Sequence, residues 1–276
     1  MVRLLDRQIS RRWPLLAASA AGAVLLSCGV VLVRDLLHPP VAPDPGSRRV
    51  PAPPTQAPWV SPLLSSCPAV DPQLRRRLTA LQHQLPGRIR QLRIDPSNFG
   101  QRFQQDAYGN RLDPRPALVV LHETVYGIGS AINTFTTHHP QDHDQVSYHV
   151  LIGEQGQVVQ AVPPELRAFG AGNSAFQGRW VVTSPRMPGS VNNFALHISL
   201  ETPLDGENSA PSHSGYSRQQ YDALAVLLAE WMRKYNIAAD HITTHRHVDL
   251  GNERADPRSF DWEALAARLQ ALGMIC

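Results

Sequence analysis

Cysteine is scarce in this chain. Its 276 residues include three, Cys28, Cys67 and Cys276, and none forms a CxxC pair. That argues against a metal site built from thiolates and leaves histidine and carboxylate as the available ligands. Charge is sparse as well: charged residues make up 18% of the chain, and the net charge is +3 with the 12 histidines neutral. No long basic run occurs, so nucleic acid has no support as a partner. Apolar residues, in contrast, reach 42%, enough for a core in one large or two small domains.

The N-terminal part reads as a membrane segment and a spacer. Arg3, Arg7, Arg11 and Arg12 precede an uncharged run of 20 residues, Pro14 to Val33. At ~1.5 Å per residue that run spans the ~30 Å hydrocarbon core. The arginine excess before it predicts a cytoplasmic basic segment (1–13), a single-pass inner-membrane anchor (14–33) and a remainder on the periplasmic side. A cleaved signal peptide and lipidation at Cys28 are the competing readings of the same run. Prolines then recur from Pro39 to Pro62. They exclude helix and interior strand, so 34–62 is expected to be an extended, semi-rigid linker. The folded domain is expected over 63–276.

Within that domain Asp71 and Pro72 open a helix that carries Leu74, Leu78, Leu81 and Leu85 on one stripe, with Arg75 to Arg77 on its wet face. Residues 85–115 suggest no element. Ala117 to Leu121 is a continuous apolar run that ends at His122, as a strand buried on both faces would. A short helix is expected near Ser130–Thr137, and a solvated loop at His138, His139 and His143. Ser147 to Ile152 and Gln157 to Val162 form a hairpin around a Gly-containing turn. Residues 166–178 read as loop. In Asn193 to Glu201, alternation sets Leu196, Ile198 and Leu200 on one face and Ala195, His197, Ser199 and Glu201 on the other. Ser217 and Gln220 form a capping box for a long apolar helix. A short run, Ile237 to Thr244, leads to His245, and Asp261 caps a last helix that stops at Gly273. Strands interleaved with helices predict a single α/β domain with a central mixed sheet flanked by helices.

Two polar clusters stand out against this scaffold: His122 at its strand end, and His245-Arg246-His247-Val248-Asp249 followed by Arg254-Ala255-Asp256-Pro257. A hydrolytic zinc site needs three protein ligands and an open position. His122, His245 and Asp256 supply such a set, and His247 and Asp249 are alternatives within the second cluster.

Four motifs in order resemble the zinc-dependent N-acetylmuramoyl-L-alanine amidases of the amidase-2 and peptidoglycan-recognition type. They are Val119-Val-Leu-His122 with Thr124, Val146-Ser-Tyr148-His149-Val-Leu-Ile152, the helix with Gln220-Tyr221, and Arg254-Ala255-Asp256-Pro257 with Phe260-Asp-Trp262. The resemblance covers about 118–272. It implies Zn2+ held by His122, His245 and Asp256, with Tyr148 and Arg254 holding the oxyanion. The implied substrate is the bond between N-acetylmuramic acid and L-alanine in peptidoglycan, and the protein is expected to be monomeric. Three departures accompany it. The interval from His245 to Asp256 is one residue longer than the family's, which leaves His247 or Asp249 open as the ligand. The family's W-H-A-G loop reads Phe169-Gly-Ala-Gly172. The triplet that carries the family's glutamate, G-I-E, reads His197-Ile-Ser199, which moves the expected proton carrier to Glu201. A non-catalytic wall-binding module of the same fold is the alternative reading. Cys67 and Cys276 flank the folded region and are expected to pair.

Overall fold

The computed structural model describes residues 49–64, 67 and 69–276. The expected anchor and most of the expected linker fall outside these residues. Among the described residues no helix is long and apolar enough to cross a membrane.

The centre of the domain is a six-stranded mixed sheet. In chain order its strands are β1 (Arg90–Gln91), β3 (Leu118–Glu123), β4 (Val150–Ile152), β5 (Val158–Gln160), β7 (Ala195–Leu200) and β8 (Ile242–Thr244). Their spatial order is β1-β5-β4-β7-β3-β8. The β4–β5 hairpin is the one antiparallel pair, and the other neighbours run parallel. A separate antiparallel pair joins β2 (Phe99–Gln101) to β6 (Leu166–Ala168). The helices are α1 (Pro72–Gln84), α2 (Ile128–Thr136), α3 (Arg218–Tyr235), α4 (His245–Val248) and α5 (Trp262–Ala271).

Strand alternation sorts the side chains into layers. Val119, Leu121, Leu196, Ile198 and Leu200 share one fully buried cluster with Leu78, Leu224, Leu228, Leu265 and Leu269, from α1, α3 and α5. Each such aliphatic side chain contributes ~1.5–3 kcal/mol on burial. The opposite face holds Leu118, Val120 and Ala195 against Phe176, Phe194 and Val248. Towards the strands' carboxyl ends the same face carries His122, His197 and Ser199, all without solvent exposure. Polar groups this deep need partners, and they define the site.

The helices start where their caps require. Asp71 accepts from the Gln73 amide with Pro72 at the first position, Ser217 and Gln220 form the reciprocal capping box, and Asp261 accepts from the Ala264 amide. The wet face expected for α1 is incomplete. Arg77 donates to Asp222 on α3 at 2.8 Å, and Arg268 on α5 donates to the same carboxylate at 2.7 Å. A buried carboxylate thus joins three helices, which alternation in any one of them cannot reveal.

Two further expectations change. Residues 85–115 and 166–178 contribute strands β1, β2 and β6, which are too short to show an alternation. The last part of the expected spacer is extended but docked. Trp180 Nε1 donates to the Pro51 carbonyl, and Gln56 Nε2 donates to the carbonyls of Ala175, His247 and Val248. Trp59 packs on His247 and Trp262, and Leu63 is fully buried. Proline bars this strap from a ladder but leaves its side chains free to pack.

Cys67 and Cys276 form a disulfide that links positions 209 residues apart. Closing so long a loop constrains the unfolded chain, so reduction should cost ~2–5 kcal/mol. Urea unfolding with and without reductant measures this. Two free thiols in protein from an oxidising compartment would contradict the pairing.

Candidate metal centre

Register assembles the site. In the β3–β8 ladder Leu121 pairs with Thr244, and a histidine follows each of them. Both strands run the same way, so His122 and His245 leave the sheet side by side at its carboxyl edge, where α/β sheets place their sites. Their rings lie 4.5 Å apart. Asp256 arrives from the loop after α4. Its carbonyl accepts from the Arg246 amide at 2.9 Å. Beyond it, Arg258 pairs with the buried Glu123 carboxylate, the neighbour of His122, and its amide donates to the same carboxylate. His213 and Tyr216 also bind Glu123. This clamp fixes the loop that carries Asp256, a role with no signal in the sequence beyond a charged residue in an apolar strand.

The Asp256 carboxylate lies 3.2 Å from His122 Nδ1 and 3.1 Å from His245 Nδ1. The three ligand atoms lie within 4.8 Å of one another. Ligands at ~2.0–2.1 Å in a tetrahedral zinc site stand ~3.3 Å apart, so the residues present fit a divalent ion bound by two imidazoles and a carboxylate. Electrostatics agree. Burial works against the Asp256 charge, yet hydrogen bonds from both imidazoles hold its carboxyl well below the usual range. Burial and the neighbouring His245 push His122 down to about 4, which keeps it in the neutral form a metal requires.

The other expected residues separate. Tyr148 stacks on His122 with ring centres 4.4 Å apart and an edge contact to Phe135 behind it. Burial first, and then the Asp256 charge, raise its pKa, so the phenol remains a proton donor. The exposed Arg254 opposes that rise and also lowers His122, so its charge acts on the cluster. Glu201, expected as proton carrier, has both carboxylate oxygens engaged: they accept from the amides of Ile128 at 2.7 Å and Glu154 at 2.9 Å. It ties the start of α2 and the β4–β5 turn to the end of β7, a use its place on the polar face did not disclose. Ser199 Oγ is buried with no partner among the described residues. Thr124 and Thr202 bond to each other across the ends of β3 and β7.

The alternative ligands lie elsewhere. His247 packs against Trp59 and Phe176. The Asp249 carboxylate accepts from the amides of Gly251, Glu253 and Arg254. His138 and His143 are exposed, as the loop reading expected.

A mixed α/β sheet with a largely buried His-His-Asp cluster at its carboxyl edge, a donor set that suits a metal ion, has the form of a hydrolase. Residues 112–259, just over half of the chain, match the amidase-2 family of N-acetylmuramoyl-L-alanine amidases, and the chain belongs to that family of enzymes. The 1,6-anhydro-N-acetylmuramyl-L-alanine amidase AmpD of Citrobacter freundii is 28% identical over 185 residues, which cover 67% of this chain and 78% of that protein. Its counterpart in Enterobacter cloacae is 35% identical over 129 residues, 46% of this chain and 59% of the relative. A crystal structure of a selenomethionine derivative of AmpD superposes with a TM-score of 0.51 at 26% identity, covering 66% of this chain and 94% of that one.

Burial also pushes His149 down to about 3 and His197 well below its ordinary value. In the metal-free protein three histidines thus stay neutral while the unfolded chain titrates near 6.5. A depressed histidine pKa means that the unfolded state takes up the protons. Stability should therefore be complete above pH ~6.5 and fall as pH drops towards ~4, by up to about 4 kcal/mol per pH unit. Urea midpoints in the presence of a chelator test this, and a midpoint unchanged between pH 6.5 and 5 would contradict it.

Proposed function

We propose that this enzyme is a zinc-dependent peptidoglycan amidase that cleaves the amide between N-acetylmuramic acid and L-alanine. We also propose that residues 14–33 hold it in the inner membrane as a monomer with its catalytic domain in the periplasm. The observation that carries the catalytic reading is the convergence of His122, His245 and Asp256 from three separate parts of the chain. Support for the compartment comes from the arginines ahead of the apolar run, together with a disulfide of the kind that persists in oxidising surroundings.

When bound, zinc supplies Lewis acidity to the amide carbonyl and to the attacking water. The chain supplies position and charge. His122 and His245 present Nδ1, and Asp256 presents an anionic oxygen, all preset by burial and hydrogen bonds. The Tyr148 phenol, held protonated against His122, donates a hydrogen bond to the oxygen that gains negative charge. Arg254, exposed at the rim, adds positive charge on that side. Such donors are worth ~10²–10³ in rate each.

The test incubates the full chain with peptidoglycan and with muropeptides bearing reducing or 1,6-anhydro ends, followed by mass analysis of released peptides. Release should stop with a chelator and return with zinc. His122→Ala and Asp256→Ala should abolish it, and Tyr148→Phe should slow it ~10²-fold. His247→Ala and Asp249→Ala should retain it. Release that ignores the chelator, or survives Asp256→Ala, would overturn the reading.

A further inference from the structure

His197 is not a ligand of the cluster, yet its ring is bonded to one. His197 Nδ1 lies 2.9 Å from His122 Nε2, and both residues are fully buried. The contact is on the far side of His122 from Asp256, so His197 has no path to a substrate. Its surroundings hold it in one place. The His197 amide donates to His149 Nδ1 at 2.9 Å, and the His149 amide donates back to the His197 carbonyl at 3.0 Å. The two rings stack within 11° of parallel. Gly170 completes the cage: a Cβ at that position would overlap the His197 ring, so only glycine lets the ring sit there.

We propose that His197 is a positioning residue for the metal ligand His122. The inference rests on the metal-site reading above. A neutral imidazole that gives Nδ1 to a metal carries its proton on Nε2. In His122 that N–H points at His197 Nδ1, which must then accept it. The hydrogen bond fixes both the tautomer and the rotation of the His122 ring, a role usually filled by a carboxylate, carbonyl or water. A neutral acceptor in a fully buried position does this without adding a second negative charge beside Asp256.

The test is zinc affinity of the full chain, measured by competition of Zn2+ with a chromophoric chelator. His197→Leu fills the space without an acceptor, and His197→Asn restores an acceptor near the Nδ1 position. We expect the leucine variant to bind zinc ~10–100-fold more weakly, and the asparagine variant to stay within about threefold of the parent, well inside that range. Imidazole nitrogen NMR of the zinc-loaded parent provides a readout that does not depend on either variant folding. His122 and His197 should both carry their protons on Nε2. Equal affinity in parent and leucine variant, or a loss as large in the asparagine variant, would overturn the role of His197. So would a proton on His197 Nδ1 in the loaded protein. A parent that binds no zinc would overturn the metal-site reading itself, together with this inference.

Discussion

The site depends on one pairing, the parallel ladder between β3 and β8. Because Leu121 pairs with Thr244, the next residue of each strand is delivered to the same edge, and both are histidine. A slip of one residue would turn one ring into the opposite layer. The pairing is protected by its position. β3 lies between β7 and β8 and is buried along its whole length, and the leucine-rich cluster beneath it involves three helices. The hydrophobic layer on one face thus sets the geometry of the polar layer on the other.

Electrostatics then select the state of that polar layer. Asp256 remains charged although largely buried because two imidazoles bind it, and burial disfavours a charge on His122. An anionic oxygen beside two imidazole nitrogens is a donor set that suits a divalent cation. Glu123 and Arg258 hold the loop in place from the next position along β3, so the strand that carries His122 also fixes the loop that carries Asp256.

Much of this was legible in the sequence where local pattern and chemistry coincide. The apolar run into His122, the alternation over Leu196 to Leu200 and the capping box at Ser217 each follow from spacing alone. The pairing of His122, His245 and Asp256 came through family resemblance, since nothing local relates residues 134 positions apart. What stayed hidden was long-range. Glu201 lies on the polar face as alternation requires, but its carboxylate is used by two amides whose approach depends on the fold. Strands of two or three residues gave no period. The docked strap at Gln56 and Trp59 looks like any proline-rich linker until its partners are seen. Two departures from the family pattern, Gly170 in the loop and His197 on the strand, looked unrelated in sequence. In space they meet, because the glycine leaves room for the histidine.

His122, His245 and Asp256 are proposed to form one metal site. Anomalous scattering at the zinc edge from crystals of the zinc-loaded protein tests it most directly. A single peak ~2.0–2.2 Å from His122 Nδ1, His245 Nδ1 and an Asp256 carboxylate oxygen is expected, with an open position towards solvent. A peak at His247 and Asp249, or none within reach of His122, would contradict it.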